Sequence, residues 1–214
     1  MKTYSRSTIA GGRRAGEDAS MRNQEGSRGF TLVELLITLA IFGVLALLTY
    51  PALLSVLEHQ KMIGATHEAA NIVRLARLTA VKRNTDIKVV ARYTDNTLIA
   101  FRDVNGNDAF DADTDEQVGA TQFPKSVYFW GPPDGTPGGA AAWVFPTPTL
   151  IFHGGGDASE DGAFRLRGRN PDYFEVRVEP KATGRVVIKK WGGGDLVTDW
   201  WQNGEQGHKW TWND

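Results

Sequence analysis

The chain has 214 residues, enough for one globular domain plus a membrane segment. A formal charge of −1 and a pI near 6.4 give no global electrostatic argument for a nucleic-acid partner. With no cysteine, a disulfide framework, a thiolate metal site and a cysteine nucleophile are excluded, and a mean hydropathy of −0.32 requires any membrane segment to be local.

The first 28 residues are basic. Lys2, Arg6, Arg13, Arg14, Arg22 and Arg28 outnumber Glu17, Asp18 and Glu25, which places the N-terminus in the cytoplasm and the rest of the chain outside. Arg13-Arg14 is read as an ordinary basic pair and not a twin-arginine signal, because the apolar run does not follow closely. That run extends from Phe30 to Tyr50, FTLVELLITLAIFGVLALLTY, with Glu34 as its one charge. As a helix it spans about 30 Å, the thickness of a bilayer's hydrocarbon core. It is longer than a secretory signal's apolar region, and Tyr50-Pro51 is a poor cleavage site. A lone carboxylate in a membrane helix costs several kcal/mol and points to function. No partner for Glu34 lies nearby in the helix, so one is expected from another chain or from a terminus.

The run Ser27-Arg28-Gly29-Phe30-Thr31-Leu32-Val33-Glu34-Leu35-Leu36 resembles the processing motif of type IV prepilins and pseudopilins. The resemblance implies cleavage by a membrane peptidase between Gly29 and Phe30, followed by N-methylation of Phe30. It further implies that Glu34 pairs with the N-terminal amine of a neighbouring subunit during assembly, a cation that offsets desolvation of the carboxylate. Pro51 falls where family members often carry a helix-bending proline. Residues 1–29 are then a leader peptide. It is longer than usual in the family, and a start at Met21 would shorten it to MRNQEGSRG, leaving residues 1–20 as an upstream extension; the alternative, from their Gly, Ser and Arg content, is a disordered tail.

After Pro51 the helical pattern continues to about residue 84. Leu53, Leu54, Leu57, Ile63, Ala69, Ile72, Val73, Ala76 and Ala80 recur at helical spacing, with Glu58, Lys61, Glu68, Arg74, Arg77 and Lys82 on much of the rest. The spacing predicts one long helix from Phe30 to Arg83: a transmembrane half over 30–50 and an amphipathic half over 51–84. Bends are expected at Pro51 and Gly64, and a stop at Asn84.

Residues 85–190 read as a β domain. Strands are predicted at Ile87–Tyr93, Thr97–Arg102, Ser126–Trp130, Thr149–His153, Ala163–Arg167, Tyr173–Glu179 and Arg185–Trp191, with a hairpin turn at Asp95-Asn96. Phe174, Val176 and Val178 alternate with Tyr173, Glu175, Arg177 and Glu179, as in a strand buried on one face. The fold class is α+β, a long helix packed on antiparallel sheet. Within this region Phe101-Arg102-Asp103-Val104-Asn105-Gly106-Asn107-Asp108 is similar to a segment of the GspH/FimT minor pseudopilins. The pairing of Leu150-Ile151-Phe152 and Gly162 with Val176-Arg177-Val178 and Thr183-Gly184-Arg185-Val186 resembles that family's strand-turn-strand ending. The resemblance runs from about Gly29 to Lys190. Residues 191–214, a tail with Trp191, Trp200, Trp201, Trp210 and Trp212, depart from it; they close the sheet or meet a neighbouring subunit.

Three clusters invite a chemical reading. Asp103, Asn105 and Asn107 sit at alternate positions with Asp111 close behind, and oxygen ligands at this spacing suit Ca²⁺. The glycine and glutamate positions of an EF-hand hold Asp108 and Thr114 instead, and a solvated turn is the competing reading. His153-Gly154-Gly155-Gly156 resembles an oxyanion loop, but no G-x-S-x-G elbow accompanies it. His67-Glu68 lacks the second histidine of a zinc helix; His59, His153 and His208 are scattered. Arg165, Arg167 and Arg169, with Arg185, Lys189 and Lys190, are either a charged solvent face or, joined to the tryptophans, a single-stranded DNA contact. Arg185, Lys189 and Lys190 are the candidate DNA residues, since some members of the GspH/FimT group serve DNA-uptake pili.

No acid–base or nucleophile constellation and no P-loop is present, so the chain is expected to be the substrate of a peptidase and methyltransferase, not an enzyme. The resemblance implies a minor pseudopilin of a type II secretion system. The alternative is a minor pilin of a type IV pilus binding single-stranded DNA. Expected partners are other pseudopilins or pilins, the prepilin peptidase, inner-membrane lipid, and secreted cargo or DNA.

Overall fold

The structure, a computed structural model, describes residues 29–131, 142–169, 172–194 and 199–205. The proposed start at Met21, the first 28 residues, His208, Trp210 and Trp212 lie outside the described residues. The chain divides between Leu45 and Ala46 into two units.

Helix α1 spans Leu32–Arg83 and includes Pro51. Both of its ends follow from local chemistry. Thr31 stands at the N-cap, and its Oγ1 accepts the backbone N–H of Glu34 at 3.2 Å. At the other end Asn84 is left-handed, with φ 48°. Its N–H donates to the Val81 carbonyl and that of Thr85 to the Ala80 carbonyl, which is the paired ending of a Schellman motif. Gly154 packs against this cap; a Cβ there would lie 2.6 Å from Asn84 Oδ1.

In the second unit, α1 buries Met62, Ala65, Thr66, Ala69, Ala70, Val73, Ala76 and Ala80. Most of these are alanine, so the helix backbone lies close to the sheets. This corrects the predicted stripe. Leu53, Leu54 and Leu57 are exposed, and burial begins only at Met62. Periodicity reports that a face is apolar, not what covers it.

Two antiparallel sheets complete this unit. The first has four strands in the order β3-β2-β1-β5, with β1 Ile87–Arg92, β2 Thr97–Arg102, β3 Glu116–Gln122 and β5 Thr149–Phe152. The second has the order β4-β6-β7-β8-β9, with β4 Tyr128–Phe129, β6 Gly162–Arg167, β7 Tyr173–Val178, β8 Val186–Trp191 and β9 Trp200–Trp201. The β1–β2 hairpin turns where Asp95-Asn96 predicts it, with Asn96 at φ 56°. Ile87, Val89, Leu98 and Ala100 from the first sheet meet Phe129, Phe164, Leu166, Phe174, Val176 and Val178 from the second around the alanine stripe. Phe129 bridges the aromatic part of this core, edge-on to Phe123 at 5.1 Å and to Phe164 at 6.0 Å.

Two strands escape the sequence reading. β3 is a mostly polar edge strand without apolar alternation. Its Gly119 sits against Leu75 and Ile72 of α1, where a Cβ would lie 3.1 and 3.2 Å from their methyl groups. β9 falls in the predicted tail. Trp191 ends β8, and Trp200 and Trp201 pair with Trp191 and Lys190, so the second sheet continues past the expected boundary at residue 190.

Candidate functional site

The residues expected to be processed lie together in one stretch. Gly29 and Phe30 precede α1, and Phe30 is 79% exposed. Glu34 is in the first turn. Leu32, Val33, Leu35, Leu36, Ile37, Leu39, Ile41, Phe42, Val44 and Leu45 are all exposed. Helix α1 is long and apolar enough to cross a membrane by length and composition. Among the described residues no side chain pairs with the Glu34 carboxylate. The arrangement is therefore a bilayer-length apolar surface with one unsatisfied negative charge near its start.

The acidic loop is a turn between β2 and β3, held from outside by Lys88 of β1. Asp103 accepts the N–H of Gly106 at 2.6 Å and of Asp108 at 3.0 Å, and Lys88 Nζ donates to it at 2.6 Å. Lys88 also donates to Asp108. Asp111 accepts the side-chain amides of Asn105 and Asn107 at 2.8 and 2.6 Å, and Asp115 accepts the N–H groups of Val104 and Asp111. The Lys88 hydrogen bond, working against desolvation, draws the Asp103 carboxyl down to about 2. Burial opposes the charge on Lys88, but Asp103 and Asp108 outweigh it and raise its pKa. Asp103, Asn105, Asn107 and Asp111 are thus brought together, with the Lys88 ammonium hydrogen-bonded into the turn. Among the described residues no three His, Asp or Glu side chains converge as a metal-binding set.

The basic residues are dispersed. Arg185 donates to Gln202 Oε1 at 3.3 Å. Lys189 pairs with Glu179 at 2.8 Å. Lys190 lies over the Phe174 ring, 5.9 Å from its centroid, on the opposite face of β8 from Lys189. The expectation of a solvent face fails at Arg165, which is 4% exposed, and at Glu175, which is fully buried. Arg165 Nε donates to Glu175 at 2.9 Å and Arg177 Nε at 2.5 Å. The Arg165 guanidinium stacks 4.5 Å from the Trp200 ring centroid, and Arg167 lies over Trp130 and Tyr173. β7 is therefore buried on both faces, because aromatic side chains that include β9's Trp200 cover the side that alternation assigns to water. Burial opposes the Arg177 charge, yet Glu175 and Glu179 raise its pKa.

Of the remaining motif residues, His153 Nδ1 lies 3.1 Å from Asp86 Oδ1, and the Gly156 carbonyl accepts Arg77 Nε at 2.9 Å. The Gly154–Gly156 loop packs on the end of α1. Sequence reasoning missed one further feature. Arg74, Arg77 and Arg185 line one cavity although Arg185 is more than a hundred positions from the other two. No local pattern signals such a convergence.

Residues 26–50 match the prokaryotic N-terminal methylation motif. Residues 65–192 match the family described as type II transport protein GspH. No curated protein matches. Among solved structures, the minor pseudopilin EpsH from the type 2 secretion system of Vibrio cholerae is similar at 12% identity and a TM-score of 0.39, covering 59% of this chain and 96% of that one.

Proposed function

The chain belongs to the type II transport protein GspH family, and we propose that it is a minor pseudopilin, a structural subunit of a secretion pseudopilus in the inner membrane. One observation carries this reading: the Glu34 carboxylate, without a side-chain partner among the described residues, stands on a bilayer-length apolar helix as the fifth residue after a Gly29-Phe30 junction. A peptidase cuts that junction and Phe30 is N-methylated. The charged amine of one mature subunit then meets Glu34 of another, which removes the cost of holding the carboxylate in lipid. Pro51 withdraws one helical N–H, so it is where α1 bends during packing. The β domain faces the periplasm and contacts sibling subunits or cargo. Contacts of head-to-tail type extend a filament, and the chain is the substrate of the processing enzymes. In the acidic loop, Lys88 is the resident cation.

The rival, a type IV pilus subunit taking up single-stranded DNA, draws no support from its candidate residues. Arg185, Lys189 and Lys190 point to separate partners. Intact-mass measurement on membrane-extracted protein tests the main reading. The expected chain begins at N-methylated Phe30. A native chain that retains its basic head uncut overturns it.

A further inference from the structure

An open cavity of about 450 Å³ lies between α1 and the turn that leads into β8. Arg74 and Arg77, three residues apart on one helix face, line it with Arg185. Leu78 and Val186 form an apolar wall. The turn is fitted to the helix at Gly184, which has φ 56°. A Cβ there would lie 2.6 Å from the Gly156 carbonyl oxygen and 3.0 Å from Arg77 Nε.

The acceptors that hold these three guanidiniums are neutral. Arg77 donates to the Gly156 carbonyl at 2.9 Å. Arg74 donates to Asn71 Oδ1 at 3.2 Å and to the Val186 carbonyl at 3.5 Å. Arg185 donates to Gln202 Oε1 at 3.3 Å. Elsewhere Arg83, Arg92, Arg102, Arg165 and Arg177 each have a carboxylate partner. Among the described residues none pairs with Arg74, Arg77 or Arg185. Three converging cations with unused donors repel one another, and an anion between them reverses the sign of that interaction.

The lining decides which anion fits. Single-stranded nucleic acid is held by base stacking on aromatic side chains, and among the described residues no aromatic side chain lines this cavity. Instead Leu78, 62% exposed, offers an aliphatic surface beside the cations. We propose that this cavity is a docking site for an acidic segment of a neighbouring subunit. A carboxylate sits among Arg74, Arg77 and Arg185, and an adjoining apolar side chain rests on Leu78. This deepens the filament reading and rests on it. The chemistry required is that of this chain's own loop, where Asp113 and Val104 are both exposed.

The test uses the mature full chain in detergent micelles and a fluorescent peptide copying residues 103–115. The expected result is salt-sensitive binding, weakened tenfold or more by Arg74→Glu or Arg185→Glu and absent for a peptide with every Asp replaced by Asn. No binding, or stronger binding to a single-stranded oligonucleotide, overturns the proposal. Unchanged thermal unfolding of Arg74→Ala and Arg185→Ala, with weakened peptide binding, separates docking from a folding defect; unchanged binding by both overturns it. In cells, the Arg74→Glu/Arg185→Glu chain should be cut and methylated at Phe30 yet be missing from sheared filaments. Normal incorporation overturns the docking site and leaves the filament reading standing. Absence of the unmutated chain from filaments removes the filament reading, while the peptide result still decides the chemistry of the cavity.

Discussion

Two regions of this protein hold a carboxylate in apolar surroundings, and they handle it in opposite ways. In the second sheet, Glu175 is fully buried and receives Arg165 and Arg177 directly, with Trp200 stacked over Arg165. In the apolar part of α1, Glu34 has no side-chain partner among the described residues, and the leucines and isoleucines around it are exposed. A charge completed by its own fold contributes to stability. A charge left incomplete is open to an interaction with another molecule, as proposed for Glu34. The same contrast holds for the two stretches of α1. Met62 to Ala80 presents small residues already packed on sheets, whereas Phe30 to Tyr50 presents large ones that need lipid or other helices.

The largest effect is expected at Glu34. On the proposed pairing, Glu34→Ala leaves a neighbour's amine unpaired in lipid, about 3–5 kcal/mol, so incorporation into sheared filaments should fall roughly 100- to 4,000-fold. Cleavage before Phe30, read by intact mass, and thermal unfolding of the β domain should be unchanged. Normal incorporation would break the contrast. Glu175→Ala should behave in the reverse sense. It strips Arg165 and Arg177 of a buried partner, and chemical denaturation should show a loss of about 3–5 kcal/mol. A loss below about 1 kcal/mol, the size of an exposed pair, would mean that Trp200 alone secures that face.

A smaller effect sharpens the comparison within α1. Ala69→Leu forces a larger side chain between helix and sheets and should cost about 1–3 kcal/mol. Ala40→Leu, on the exposed apolar stretch, should leave the unfolding of the β domain unaltered. The smallest effect is at Asp103. Its carboxyl lies below the ordinary 3.8, at about 2. The stabilisation it supplies is therefore complete above pH 3.8 and is lost as pH falls through about 2. The melting temperatures of the parent and of Asp103→Asn should differ at pH 7 and converge near pH 2. If Lys88 is the resident cation, added Ca²⁺ leaves the parent's melting temperature where it was. A rise of several degrees would return the loop to the ligand reading.

Much of the fold was legible because it rests on short-range patterns. The extent of α1, seven of the nine strands among the described residues and the turn at Asn96 follow from spacing, β-branched runs and turn chemistry, with ends within a residue or two. β3 was not legible because an edge strand needs no apolar alternation. β9 was not legible because two tryptophans give no period. Gly29, Phe30, Glu34 and Pro51 could be nominated from consecutive residues, since processing and membrane insertion act on a linear segment. The basic face could not be read. Alternation assigned Arg165 and Glu175 to water, whereas both are buried, Arg165 against Trp200 from about 35 positions further along the chain.

The amino-acid sequence by itself determined the bilayer-length helix, its lone carboxylate, the junction before Phe30 and the α+β class, because each depends on composition and spacing along the chain. Only the tertiary structure decided which charges are already answered. It buried Glu175 between two arginines, tied Asp103 to Lys88, and gathered Arg74, Arg77 and Arg185 around one cavity. Ion pairing depends on distance in space and on exclusion of water, and neither can be counted along a chain.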